Sequence, residues 1–415
     1  MERKLEEAKR QIRQNILKNI DYSKDISDEE MYELVDNELS RQLRHMVISF
    51  EDRKKLRLQI FHSIRKLDIL QELIDDPGIT EIMINGTDNI FIEKDGAISR
   101  FEGRFESEEK LEDVVQQIVA SCNRVVNQSQ PIVDARLSNG SRVNIVLEPI
   151  SLTGPIITIR RFPDKPITME RLIELGSISA ELSNFLEALI KAGYNIFISG
   201  GTGSGKTTLL NALTNYIPKD LRVLTVEDSA ELQVQGVSNL VRLESRNANV
   251  EGCRPISIRD LIKASLRMRP DWVVVGEVRG GECVDMLQAM NTGHRAMSTG
   301  HANSARDMLY RLETMSLMGM GELPLSAVRG QISSGIDIIV HLGRLRDKSR
   351  KVMEICEVEK ELDKSGKIQL RTLYVFEEHK NLENGKIKGS WRKMSELKNT
   401  EKLVAAGIEL SPDKK

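Results

Sequence analysis

Residues 200–207 read GGTGSGKT, four glycines among two small hydroxyl side chains, closing on a lysine and a threonine. They match G-x-x-x-x-G-K-[ST] throughout, the pattern of a loop whose backbone N–H groups curl around a phosphate. Gly201, Thr202, Gly203, Ser204 and Gly205 would form the cradle, and Lys206 would reach the β- and γ-phosphates. The hydroxyl of Thr207 would ligate Mg²⁺, and Thr208 follows it in the same first helical turn, where the helix N-terminus adds partial positive charge. No N-K-x-D signature of guanine recognition is present, so the expected ligand is ATP with Mg²⁺.

Two acidic clusters follow apolar runs downstream. RVLTV at 222–226 runs into Glu227, Asp228 and Glu231, and WVVVG at 272–276 runs into Glu277 and Glu282. A typical phosphate-loop enzyme carries an Asp at the tip of the second strand to hold Mg²⁺; here that place is Gly276 and the first acid is Glu277. Loops at the carboxyl ends of parallel strands line the ligand crevice, so Glu227 and Glu277 can approach the γ-phosphate. Either could hold Mg²⁺ through water or orient the attacking water. His294 and His301, two of six histidines, flank AMSTG seven residues apart and suggest a sensor touching the γ-phosphate or the neighbouring catalytic Glu. A zinc site is not indicated, because no H-E-x-x-H and no cysteine partners accompany them.

The elements that must position these groups can be read from periodicity. NIFIS, RVLTV and WVVVG alternate with helical stretches, one opened by a Ser257/Asp260 capping box, and this predicts a mostly parallel sheet flanked by helices over 169–360. Residues 67–162 have an α+β texture. ITEIMIN alternates as a strand, NIFIEKDGAISRF reads as a hairpin turning at Asp95-Gly96, and Ser107 caps a helix with the face Leu111, Val114, Val115, Ile118, Val119 and Cys122. PIVDARLSNGSRVNIVL turns at Asn139-Gly140, and PDKPIT at 163–168 reads as a linker because of its two prolines. Residues 1–66 are charged, with Ile12, Ile16, Leu17 and Ile20 at near-helical spacing, and predict a solvated helical extension. Residues 361–415 read as a β-containing tail.

At 415 residues the chain can hold two or three full cores. Its net charge of -2 argues against binding nucleic acid through bulk electrostatics. The four cysteines, Cys122, Cys253, Cys283 and Cys356, lie far apart and read as reduced packing residues of a cytosolic protein. The charged N-terminus lacks the apolar core of a signal peptide, and no stretch approaches the ~20 apolar residues of a membrane span, so any membrane role is expected to be peripheral.

With these residues in view, the chain resembles the type II/type IV secretion ATPases, and most closely the CpaF-like branch that powers tight-adherence (Tad) pilus assembly. The resemblance covers about 67–360 and rests on DPGITEIMING, DARLSNGSRVN, ITIRRF, GGTGSGKTT, VEDSAEL, RMRPDWVVVGEVRGGE, TGHRAMSTGHANS and IDIIVHLGRLRDKSRKV in order. It implies a RecA-like phosphate-loop ATPase domain preceded by a smaller, PAS-like α+β domain and a helical extension. VEDSAEL is similar to the family's Asp box, with Glu227 the acid that activates or positions water. WVVVGEVRGGE is similar to its atypical Walker B, in which Glu277 replaces Asp, and GHRAMSTGHAN to its His box, with His301 and also His294 near the nucleotide. RAMSTG departs from the small residues and second Thr that relatives often carry there.

The resemblance further implies a homohexamer with ATP between the two domains of a subunit. Arg142 and Arg160 or Arg161 would then meet the phosphates, and Arg279 would couple subunits. The implied role is a cytoplasmic motor at the inner face of the membrane, acting on a platform protein and moving pilin or a secreted substrate indirectly, with no direct nucleic-acid contact. The alternatives are an ATPase of conjugation or effector secretion, and a nucleotide-dependent switch with little turnover.

Overall fold

A computed structural model of the chain describes every residue except 1, 22–23, 25, 45–47, 95, 162–165, 247–253, 320–322, 380–384 and 411–415. Asp95, Cys253 and residues 163–165 of the expected linker therefore lie outside the described residues. The chain packs as two units, Met1–Pro163 and Asp164–Lys415.

In the first unit, helices α1 (Glu2–Asn19), α2 (Asp28–Gln42) and α3 (Phe50–Arg65) share a core of their own. Ser27 and Glu30 form a reciprocal capping box on α2, and Ser49 caps α3 by accepting Asp52 N–H. Ile12 and Ile16, expected on a solvated extension, are buried with Val35, Leu39, Leu56 and Ile60. A short α4 (Ile69–Asp75) leads into β1 (Ile79–Asn85), β2 (Asn89–Lys94) and β3 (Ala97–Phe101). After α5 (Glu108–Ser121) come β4 (Ile132–Arg136), β5 (Arg142–Val146) and β6 (Ile156–Arg160). These six strands form one antiparallel sheet in the order β3-β2-β1-β6-β5-β4. Ser107 caps α5 as its sequence predicts, and Leu111, Val114, Val115 and Ile118 pack into the core that holds Ile82, Ile84, Val143 and Ile157.

The second unit opens with Thr168, which caps α6 (Met169–Glu174) by accepting Arg171 N–H rather than ending a linker. It continues through α7 (Ala180–Lys191), β7 (Ile196–Gly200), α8 (Lys206–Thr214), β8 (Val223–Glu227), β9 (Leu240–Glu244), α9 (Ile258–Ser265), β10 (Trp272–Val275), α10 (Cys283–Asn291) and β11 (Arg295–His301). Helices α11 (Ala305–Gly319) and α12 (Leu325–Gly335) precede β12 (Ile338–Arg344), β13 (Arg350–Leu362), β14 (Ile368–Glu378), β15 (Gly389–Lys393) and α13 (Glu401–Ala406).

One nine-stranded sheet runs β15-β14-β13-β12-β7-β11-β10-β8-β9. The six strands from β12 to β9 are parallel, and β13, β14 and β15 add antiparallel strands beyond β12. The fold is thus an α/β phosphate-loop domain preceded by a smaller α+β domain and a helical segment. The boundary expected at 360 falls inside β13, so the C-terminal strands extend the same sheet. Alternation along β7 feeds both faces: Ile196 and Ile198 pack with Leu209 and Leu213 of α8, and Phe197 packs with Leu287, Leu309 and Ile332 of α10, α11 and α12.

Asn195 ties the lower ends of three strands. Its buried side chain donates to Gly335 O at 2.7 Å and accepts from Ala296 N–H at 2.8 Å, and its own N–H donates to Asp337 Oδ2 at 2.7 Å. Asn195→Ala leaves a buried donor and acceptor unpaired, at about 1–3 kcal/mol each, so the predicted loss is roughly 2–5 kcal/mol. Urea melts followed by tryptophan fluorescence read this directly, because both tryptophans, Trp272 and Trp391, lie in the second unit. A loss under about 1 kcal/mol would show that water replaces the amide.

Candidate active site at the strand ends

Parallel register brings the ends of β7, β11, β10 and β8 to one edge of the sheet: Gly200 pairs with His301, and Val275 lies level with Val226 and Ser298. The phosphate loop leaves β7 here. A side chain at Gly200 would meet Ser204 Oγ at 2.5 Å and Leu342 O at 2.6 Å, so the loop can fold back only over glycine. Gly203 and Gly205 take φ of 69° and 94°, which L side chains rarely adopt. Gly205 is the N-cap of α8 and offers no side-chain acceptor, leaving the first helical N–H groups to an anion. Lys206 Nζ donates to Gly201 O at 3.0 Å and lies 3.4 Å from His301 Nδ1.

Glu227 ends β8 with only 2% of its surface exposed. Its Oε2 accepts the N–H groups of Glu231 (2.7 Å) and Leu232 (2.8 Å), while the buried Oε1 has no partner. Burial raises its pKa to about 7, against the lowering effect of those two backbone bonds and of Arg242. Glu231 thus serves Glu227 through its backbone.

Glu277 sits two residues beyond β10 between cationic groups. Its Oε2 accepts Arg279 Nε at 3.0 Å and Nη2 at 2.8 Å, and its Oε1 lies 2.9 Å from His301 Nε2, off the line of a well-formed hydrogen bond. His301 Nδ1, facing the Lys206 ammonium, must present its lone pair, so the ring proton is assigned to Nε2 on the Glu277 side. Burial and the Lys206 charge lower the His301 pKa and keep the ring neutral, with Glu277 opposing them. The Arg279 guanidinium also lies 3.9 Å from Asp228. Thr299 Oγ1 donates to Gly276 O at 2.8 Å and Val278 N–H to Thr299 O at 3.0 Å, fixing the Glu277 backbone to β11.

Gly276 explains the displaced acid. A Cβ there would stand 3.2 Å from Glu227 Cγ, so an Asp at that place would crowd the Glu227 side chain.

One expectation is corrected. His294 precedes the first residue of β11 whereas His301 ends it, which puts His294 roughly 23 Å away at about 3.3 Å per residue. Its Nδ1 lies 3.2 Å from Thr292 Oγ1, so it is not beside the nucleotide loop. Arg161 Nη1 donates to the carbonyls of Asp76 and Ile79 (3.4 Å to the latter), and its backbone N–H to Thr80 O, pinning the end of β6. Arg142 and Arg160 are register partners on β5 and β6 and therefore share a face of the first unit's sheet.

Sequence reasoning also missed residues. Arg350 Nε donates to Gly203 O at 2.8 Å across 147 residues, and His341 Nδ1 lies 2.9 Å from Ser199 Oγ beneath the loop. The DKS turn between two apolar runs could have flagged a hairpin, but no local spacing says that it reaches the phosphate loop.

A glycine cradle at a helix N-terminus, a 7%-exposed lysine and two buried carboxylate oxygens lacking a well-formed hydrogen bond suit a nucleoside triphosphate with Mg²⁺. Fold and site define a phosphate-loop ATPase. The chain belongs to the type II/IV secretion system protein family, whose model matches residues 64–395. It is similar to a putative conjugal transfer protein of Mycobacterium tuberculosis, 31% identical over 313 residues that cover 74% of this chain and 87% of the relative. It is 32% identical to the conjugal transfer protein TrbB of Rhizobium radiobacter (71% and 90% covered), and 31% identical to the type IV secretion system protein PtlH of Bordetella pertussis (70% and 93% covered). The solved structure of the Legionella pneumophila ATPase DotB shares the fold at a TM-score of 0.50 and 23% identity, covering 69% of this chain and 79% of that one. Among the described residues no helix is long and apolar enough to cross a membrane.

The Glu227 pKa, raised from 4.5 to about 7, makes folding favour its protonated form. That contribution is fully present below about pH 4.5 and is lost as pH rises through about 7. Glu227→Gln should therefore gain on the unaltered protein between pH 5 and pH 8, by up to about 3 kcal/mol in nucleotide-free buffer. Urea melts at the two pH values test this, and a pH-independent difference would refute the buried ionisation.

Proposed function

We propose that the chain is a motor ATPase that hydrolyses ATP at this strand edge and uses the energy to assemble a Tad-type pilus or move a secreted substrate at an inner-membrane platform. The observation that carries the reading is Glu277, held between Arg279 and a His301 ring that also faces the phosphate-loop lysine. A protein that only binds nucleotide has no need of a carboxylate so placed.

The backbone of 201–205 and Lys206 bind the β- and γ-phosphates. Thr207 would hold Mg²⁺, with Glu227 or Glu277 reaching it through water, and the ion would supply charge neutralisation of the phosphates. Glu227, with a pKa near neutrality and one oxygen unpartnered, suits the acid that orients the attacking water and takes up its proton. Water adds to the γ-phosphorus, the bond to ADP breaks, and the proton passes to Glu227. His301 links Lys206 to Glu277, so a shift of Lys206 toward the γ-phosphate alters the pairing of Glu277 with Arg279. Arg142 and Arg160, side by side on one sheet face, suit an anion and are assigned the phosphate side of the first unit. Arg279 is assigned coupling between subunits of a homohexamer.

A second reading changes only the cargo. The relatives named above for conjugal transfer and type IV secretion favour a conjugation or effector-export motor, and a net charge of -2 favours a protein cargo over direct DNA handling. A chromosomal Lys206→Ala strain assayed for surface pili, protein export and plasmid transfer separates these, since only the true output is lost.

Glu277→Gln is predicted to lower kcat by about 10²–10⁴ while MgATP affinity stays within a few-fold, and Lys206→Ala to remove binding and turnover together. Steady-state phosphate release and equilibrium binding of labelled ATP provide the check; unchanged turnover in Glu277→Gln rejects the role given to it. Sedimentation of the purified protein with MgATP tests the hexamer.

A further inference from the structure

Beyond the groups assigned above, two arginines bracket the phosphate loop from the β12–β13 hairpin. Arg344 and Arg350 are the last register pair of that hairpin, so their side chains lie on one face. A side chain added at Gly203 would meet Arg344 Nη1 at 3.7 Å, and one added at Gly205 would meet Arg350 Cδ at 3.5 Å. Arg350 Nε holds Gly203 O at 2.8 Å.

Two other charges of the turn are committed elsewhere. Arg346 pairs with Glu378, and Asp347 accepts Ser349 N–H at 3.0 Å and Ser349 Oγ at 2.6 Å, with Ile387 N–H at 2.8 Å on its second oxygen. Leu345 and Ser349 close the turn at 2.8 Å. Two exposed guanidiniums thus project from register-paired positions of one hairpin beside the phosphate loop that carries Lys206, and like charges in register repel. A polyphosphate in the loop is the anion that resolves this.

We propose that Arg344 is a second cationic contact for the α- and β-phosphates of the nucleotide, and that Arg350 is a positioning residue that sets the cradle by holding the Gly203 carbonyl. This rests on the nucleotide reading of the site. A planar trans peptide points C=O and the following N–H in opposite directions, so anchoring Gly203 O on Arg350 turns Ser204 N–H away from the hairpin. Ser204 N–H meets only a long 3.4 Å contact to Gly201 O, a weak bond that a phosphate oxygen can displace.

Contacts to the phosphates that ADP retains are already made before γ-transfer, so their loss acts mainly on KM and only slightly on kcat. Arg344→Ala should raise Kd for both MgATP and MgADP about tenfold, the size of one charge-assisted contact, and raise KM in step, with kcat within about twofold. Arg344→Lys should recover part of this because it keeps the charge. Arg350→Ala and Arg350→Lys should weaken binding equally, since lysine keeps the charge but lacks Nε.

Binding is read by titration calorimetry on the full-length protein, with melting curves to verify folding and Arg344→Gln as a second neutral variant. If Arg344→Ala and Arg344→Gln bind MgADP within twofold of the unaltered protein while Lys206→Ala has lost binding, the arginine contact is overturned and the nucleotide reading stands. Rescue of Arg350→Ala by lysine overturns the positioning role. Failure of the unaltered protein to bind either nucleotide overturns both readings.

Discussion

The site depends on one constraint, the shared register of parallel strands β7, β11, β10 and β8. Residues far apart in the chain become neighbours because their strands end level: Gly200 beside His301, and Glu227 one residue past the pair Val226 and Val275. A slip of one residue in any pair would turn its terminal side chain to the opposite face of the sheet. The register is held from the other end, where Asn195 binds backbone groups at Ala296 and Gly335, and Asp337 takes Lys360 at 2.7 Å and Lys402 at 2.6 Å. The polar knot at the bottom and the carboxylates at the top are therefore linked by the same hydrogen-bonded strands.

Within that frame, the two acids differ by environment. Glu227 is packed under the 228–232 turn and its surroundings favour the neutral form, whereas Glu277 faces Arg279 and the His301 ring. Glu227 is thus suited to proton uptake and Glu277 to charge pairing. The smaller sheet of the first unit brings Arg142 and Arg160 together by register alone, with no help from nearby sequence.

Much of this was legible locally. The phosphate loop, the strands around it, the Ser107 and Ser257 caps and the buried face of α5 all follow from patterns within a dozen residues. What escaped is what depends on depth or distance. His294 and His301 look equivalent beside AMSTG, and only strand direction separates them by a strand length. Arg161 looks like its neighbour Arg160, but its Nη1 reaches back to the carbonyls of Asp76 and Ile79. Strand β9 is a five-residue edge strand with partly exposed side chains, and the C-terminal strands join the main sheet through pairing with β12 that no charge pattern announces. Ile12 and Ile16 looked like one face of a solvated helix because their partners come from α2 and α3.

Gly276 and Glu227 carry a consequence for descent. With 3.2 Å between the added carbon and Glu227 Cγ, a side chain at position 276 crowds Glu227, which must give by a few tenths of an ångström to admit it. The two positions are epistatic. A lineage moving between an acid at the strand tip and an acid two residues on would have to move the Glu227 side chain that takes up protons, or change both positions together. Such a coupling would keep the two arrangements apart once either was established, and would make the Gly-Glu pair at 276 and 277 a durable mark of ancestry.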